Sequence, residues 1–186
     1  MRTHHVFIAT SLDGYIADAT GSVHFLDTYP VPEHSDMGYY AFMDKVDALL
    51  MGRKSFETVL GFGVAWPYTK PVFVWSQTLS EIPAELADKA FLVQGNLHEV
   101  EEQIRLKGYE HLYLDGGKVI QTFLQADKVE TMTITSIPVL LGRGIRLFGT
   151  MENPLAFQCV SATRFENGMA QQVFVRNPEI AVKMGE

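Results

Sequence analysis

Three short stretches of this 186-residue chain carry the groups that a polyphosphate ligand would need. The first is Gly52-Arg53-Lys54-Ser55, set between the apolar run 46–51 and a helical stretch that ends at Gly61-Phe62-Gly63. A glycine there permits a tight turn and a close backbone approach. The helix start offers unpaired N–H groups and the positive end of a dipole to an anion. Arg53 adds a charged fork that suits a phosphate, and Ser55 adds a hydroxyl donor. The second stretch is Ser76-Gln77-Thr78, a hydroxyl-bearing loop after the apolar run 72–75. The third is Gly116-Gly117-Lys118, after 111–115 and at the start of a helical stretch to 125. Singly, each also fits an ordinary turn with a surface arginine or a tight glycine pair. Together, at the carboxyl ends of parallel strands, they sit where α/β sheets hold ligands.

Those turns need a sheet to position them. Residues 6–10 are apolar and β-prone, read as a central strand, and end in the turn Ser11-Leu12-Asp13-Gly14. A polar loop over 18–22 and a short extended piece over 23–27 follow. Tyr29-Pro30-Val31-Pro32 then forbids regular structure. Ser35 or Asp36 can cap a helix that continues through Phe42 and Met43 to Val46. Further on, 91–93 reads as a strand and 97–107 as a helix with Gly108 just past its end. After Lys128 the pattern alternates, over 129–136, 156–163 and 170–176. Glu166-Asn167-Gly168 marks a hairpin between the last two runs. The expectation is an α/β fold: a mixed, mainly parallel sheet, helices on both faces and an antiparallel C-terminal edge. One domain is expected over 1–178, with a loosely held tail over 179–186.

With 47% hydrophobic and 20% charged residues, the composition is that of a globular protein. A net charge of −7 argues against general nucleic-acid binding, which wants a basic face. No apolar run approaches a membrane span, and the N-terminus does not read as a signal peptide, so the cytoplasm is the default location. One cysteine, Cys159, excludes an internal disulfide and any multi-cysteine metal site, and its apolar surroundings predict a buried, inert thiol. His4-His5 are expected at a solvated strand end, and no histidines have metal-ligand spacing. Walker A, Rossmann, zinc-deaminase and nucleophile-elbow signatures are absent.

Four stretches taken in order resemble the dihydrofolate-reductase-like superfamily: residues 11–17 (Ser-Leu-Asp-Gly-Tyr-Ile-Ala), 51–57, 114–117 (Leu-Asp-Gly-Gly) and 138–144 (Pro-Val-Leu-Leu-Gly-Arg-Gly). The branch they match best is the stand-alone form of the reductase domain of bacterial riboflavin-biosynthesis deaminase-reductases. The resemblance spans about Val6 to Arg176. It implies a three-layer fold around a mainly parallel eight-stranded sheet, and NADP(H) as cofactor. By that likeness Arg53 faces the 2′-phosphate, within a turn made with Gly52 and Lys54, and Ser55 faces the pyrophosphate. Ser76 and Gln77 flank the adenosine phosphate, and Gly116, Gly117, Lys118 and Val119 lie under the pyrophosphate. Ala9, Ile16 and Ala17 line the nicotinamide. An arginine in place of a ribose-binding carboxylate favours NADP over NAD.

The resemblance also implies hydride transfer to a small pteridine- or pyrimidine-like heterocycle. Two carboxylates match positions beside the substrate. Asp36, before the Gly-Arg turn, would manage the substrate proton or else cap a helix. Asp13 would lie beside the substrate or else form a turn. Residues 23–37 lack the Pro-Trp of folate reductases, and only His24, His34 and Arg143 offer charge for a ribose phosphate. The alternative is an NADP(H)- or flavin-nucleotide-binding protein without turnover. Pairing of the C-terminal strands across a two-fold axis predicts a homodimer, with a small molecule as the other partner and neither nucleic acid nor membrane.

Overall fold

The computed structural model describes residues 2–182. Its chain order is β1 (Thr3–Ser11), β2 (Tyr15–Ala17), α1 (Tyr39–Met43), β3 (Ala48–Gly52), α2 (Arg53–Gly61), β4 (Val72–Trp75), β5 (Ala90–Val93), α3 (Leu97–Leu106), β6 (His111–Asp115), α4 (Gly117–Gln125), β7 (Thr131–Ile137), β8 (Ile145–Arg146), β9 (Phe157–Arg164) and β10 (Ala170–Arg176). Eight strands form one sheet in the order β5-β4-β3-β6-β1-β7-β10-β9, and β2 pairs with β8 in a small second sheet. The first six strands of that order run parallel, β7 included. The antiparallel edge therefore begins at β10 rather than at Lys128.

Two apolar layers sandwich the sheet. On one face α3 and α4 bring Val100, Ile104, Ile120 and Phe123 onto Val6, Leu50, Phe73 and Leu114. On the other, α1 and α2 bring Phe42, Met43 and Phe56 onto Leu49, Met51, Val74 and Tyr113. Strands β3, β4 and β6 are covered on both sides, which is why their sequences read as unbroken apolar runs.

Several expectations change. Residues 23–27 are not extended: His24–Thr28 forms a 3-10 turn. The helix expected from Ser35 or Asp36 to Val46 shrinks to Tyr39–Met43. His34, Met37 and Gly38 all adopt left-handed φ (63°, 53° and 84°), which a helix cannot contain. His4 and His5 are buried rather than solvated. Helix α3 folds over the strand start, and His4 Nε2 meets Glu101 Oε1 at 3.1 Å. Cys159 is exposed, not buried, because β9 is an edge strand with almost every side chain exposed. Part of the tail expected over 179–186 lies outside the described residues.

Candidate functional site: a cleft at the carboxyl ends of the parallel strands

The carboxyl ends of β4, β3, β6 and β1 follow one another along the rim, and a cleft of about 1370 Å³ runs across them. From the β4 end it is walled by Ser76 and Gln77, and next by Gly52, Arg53, Lys54 and Ser55. Gly116, Gly117, Lys118 and Val119 follow at the β6 end, and Ala9, Ile16 and Ala17 at the β1 side. Every residue assigned above to the cofactor thus lines this one cavity.

The two helix starts in the cleft are built alike. Neither Gly52 before α2 nor Gly116 before α4 has a side chain that caps the helix. Helix α3, by contrast, carries a full capping box: Glu99 N–H donates to Asn96 Oδ1 at 3.1 Å, and Asn96 N–H donates to Glu99 Oε2 at 2.7 Å. The uncapped first-turn N–H groups of α2 and α4 are therefore free for an external acceptor. Gly116 has φ +75°, and a Cβ there would run into Ser55 Oγ. The two turns interlock, and only glycine lets them approach so closely.

Polar detail shapes the wall further. Ser76 Oγ accepts from the N–H groups of Thr78 and Leu79 (3.1 and 2.9 Å), which folds the loop after β4. Trp75 Nε1 and Gln77 Nε2 both donate to Gly95 O, at 3.0 and 2.9 Å, and so join the β4 and β5 ends. Arg53 Nη1 lies 3.2 Å from Glu57 Oε1, one helical turn on, with both side chains partly exposed.

The two carboxylates singled out from sequence lie outside the cleft lining. Asp13 accepts from Ser11 Oγ at 2.6 Å and from the N–H groups of Leu141 and Gly142 at 3.1 and 2.7 Å. The Ser11 hydroxyl, aided by those two amides, holds its carboxyl down at about 2. Asp13 thus ties the 138–144 loop to the end of β1. Asp36 is exposed, and its carboxylate accepts from Tyr40 N–H (2.7 Å) and Gly38 N–H (3.0 Å). Those bonds, Tyr40 first, lower its pKa, whereas burial would have raised it.

Besides Glu57, which pairs with Arg53, Asp115, the last residue of β6, lines the cleft. Burial raises its pKa to about 6, against a smaller opposing effect of the Gly116 N–H. Its side chain shares a strand face with Tyr113, and its charge reaches the hydroxyls of Tyr39, Tyr68 and Tyr113. Burial first, then the nearby Asp115, pushes all three phenols up. Around them packs an aromatic wall: Phe7 and Tyr39 have ring centroids 5.6 Å apart, Phe42 and Tyr113 5.0 Å, and Trp66 and Tyr68 5.2 Å. Trp66 Nε1 is buried with no hydrogen-bond partner among the described residues. Sequence reasoning quoted Asp115 in its glycine motif and gave it no role. The signal was available: a lone acid ending an apolar strand, next to a glycine pair.

The sheet order and the helices around the sheet define a dihydrofolate-reductase-like α/β fold with a cleft at the carboxyl ends of its parallel strands. The family model of the RibD C-terminal domain matches residues 3–171, and the chain belongs to that family. Bacillus subtilis (strain 168) YwjB is 30% identical over 169 residues, covering 90% of this chain and 94% of the relative. Among solved structures, a Shewanella sp. PV-4 protein named for riboflavin biosynthesis is 44% identical with a TM-score of 0.88, covering 95% and 99% of the two chains. Enterococcus faecalis dihydrofolate reductase, solved with NADP(H), shares the fold at 18% identity and a TM-score of 0.59, covering 94% and 96%. Among the described residues no helix is long and apolar enough to cross a membrane.

Proposed function

We propose that this protein is an NADPH-dependent reductase of a small planar heterocycle of pteridine or pyrimidine type. The observation that carries the reading is the pair of uncapped, interlocked helix starts beside Arg53, Lys54 and Lys118 in one cleft. The free N–H groups of the two helix starts would take a pyrophosphate. Arg53 would turn from Glu57 to a 2′-phosphate, and the apolar surface of Ala9, Ile16 and Ala17 would face the nicotinamide.

When bound, NADPH supplies a hydride to one carbon of a C=N bond in the substrate. The chain's own residues orient that bond and manage one proton. The substrate nitrogen gains the proton as the carbon gains the hydride, so the product carries new C–H and N–H bonds. Asp115, whose pKa burial raises to about 6 at the wall of the cleft, is the group best placed to hold and deliver that proton. Asp13 and Asp36 act on structure, as a loop anchor and a cap.

Titration of NADPH fluorescence against the protein tests the cofactor. Binding is expected at about 10 μM or tighter. Arg53→Ala should weaken NADPH by about tenfold through loss of a charge-assisted phosphate contact, and leave NADH unchanged. No NADPH binding, or equal loss for both cofactors, overturns the reading. We also propose a homodimer through the exposed β9–β10 edge, which light scattering at micromolar concentration would refute by reading a monomer.

A further inference from the structure

The wall that carries Ile16, Ala17 and Ile145 belongs to the small second sheet and not to the main one. In it Tyr15 pairs with Arg146 and Ala17 with Ile145. Strands of three and two residues do not hold themselves in place, since an isolated two-stranded ribbon is marginal in water. Internal ties stiffen this one. Arg146 lies 4.7 Å over the Tyr15 ring and donates to Tyr15 OH at 3.0 Å. Leu147 N–H donates to Gly14 O at 3.0 Å. None of these bonds sets how far the ribbon stands from the rest of the cleft.

Helix α4 supplies that distance. Gln121 lies one turn beyond Gly117 and outside the cleft lining. Its Nε2 donates to Arg146 O at 3.0 Å and to Leu147 O at 3.1 Å. Both amide hydrogens are used, and the two carbonyl acceptors determine which end of the amide is the nitrogen. Nearby the backbones come close. A Cβ on Gly117 would lie 3.0 Å from Ile16 Cδ1 and 3.2 Å from Arg146 O, and one on Gly144 would run into Ala17 O. Leu147 is fully buried in the core layer with Ile120 and Phe123 and holds the ribbon down. The Gln121 amide then sets where β8 comes to rest. The start of α4 and the apolar wall are parts of one latched unit.

We propose that Gln121 is a positioning residue: it latches β8 to α4 and so fixes the gap, between helix start and apolar wall, that holds the nicotinamide half of NADPH. The proposal rests on the cofactor reading above. It deepens that reading by naming a residue outside the cleft that sets the affinity for one half of the cofactor only. The adenosine half would meet Arg53, Ser76 and Gln77 at the β3 and β4 ends, which no bond of Gln121 reaches.

Three variants test it. Gln121→Met keeps the length of the side chain and removes the donor. Gln121→Glu keeps the shape and turns a carboxylate toward two carbonyls. Gln125→Met is the control, because Gln125 Nε2 donates to Thr150 O from the next turn of α4, away from the cleft lining. Two probes are titrated: NADPH, followed by its fluorescence, and 2′,5′-ADP, which carries the adenosine half alone, followed by calorimetry. Gln121→Met is expected to weaken NADPH by about tenfold and Gln121→Glu by more, with 2′,5′-ADP held within about twofold. Gln125→Met should alter neither. With no probe present, deuterium uptake by the β2 and β8 amides should quicken by about tenfold in Gln121→Met. Unchanged NADPH affinity, equal loss for both probes, or the same NADPH loss in Gln125→Met overturns the proposal. Unchanged exchange in β2 and β8 overturns it even where NADPH weakens. A wild type that binds neither probe, with exchange quickened in Gln121→Met, sinks the cofactor reading and leaves the latch standing.

Discussion

The two rims of the sheet each enclose a carboxylate, and the protein treats them in opposite ways. At the amino ends of β1 and β7, Glu101 is almost fully buried and fully engaged. Lys128 Nζ reaches its two oxygens at 3.0 and 2.7 Å, and His4 Nε2 approaches at 3.1 Å. Burial lowers the His4 pKa against the pull of Glu101, and Lys128 supplies the fixed counter-charge. At the carboxyl ends, Asp115 has, among the described residues, no paired cation and one backbone amide, that of Gly116. A carboxylate that only fastens elements together is neutralised within the protein. One that faces a cleft is left with capacity that a ligand must fill.

The sharpest way to break this comparison is to remove each carboxylate's distinguishing feature. Asp115→Asn keeps the shape and removes the proton. Its turnover should fall by about 10²- to 10⁴-fold, the usual worth of a general acid or base, with NADPH affinity unaltered. Steady-state kinetics beside a fluorescence titration measures both, and full activity would make Asp115 another structural acid. At the other rim, Lys128→Ala strands Glu101 next to His4 alone. Because Lys128 is itself partly exposed, a loss of about 2 kcal/mol in urea unfolding at pH 7 is expected, below the range for fully buried pairs.

Stability against pH separates the two further. The folded-state pKa of Asp115 lies above its unfolded value, so its protonated form favours the fold. The resulting penalty is absent below about pH 4, grows as pH rises, and is complete above about pH 6. Asp115→Asn should therefore be more stable than the wild type by about 3 kcal/mol at pH 8 and nearly equal to it at pH 4. Urea midpoints at the two pH values check this. The smallest effect belongs to the surface: Asp36→Ala should lower the urea midpoint slightly and leave turnover unchanged.

Much of the site was legible because its parts are local. Gly52 to Ser55 and Gly116 to Val119 are contiguous, each follows an apolar strand, and a strand-turn-helix has few backbone solutions. What failed was decided at a distance. His4 looks solvated until α3, about a hundred residues later, covers it, and His5 until Thr131 of β7 meets it at 2.7 Å. Cys159 looks buried until β9 proves to be the last strand of the sheet. The long helix expected before Val46 is interrupted at Met37 and Gly38, near where Gln171 Nε2 of β10 donates to Met37 O at 3.1 Å.

The amino-acid sequence by itself determined the βα order, the glycine turns at the strand ends and the family, because these follow from periodicity, glycine placement and short contiguous motifs. Only the tertiary structure decided which of three acids lines the cleft. Asp13, Asp36 and Asp115 are chemically identical in sequence. Neighbouring donors from Ser11, Leu141 and Gly142, a local cap at Tyr40, and the closing of an aromatic wall around β6 set them apart. Solvation and hydrogen-bond supply are properties of a place in space, and that place exists only once the chain has folded.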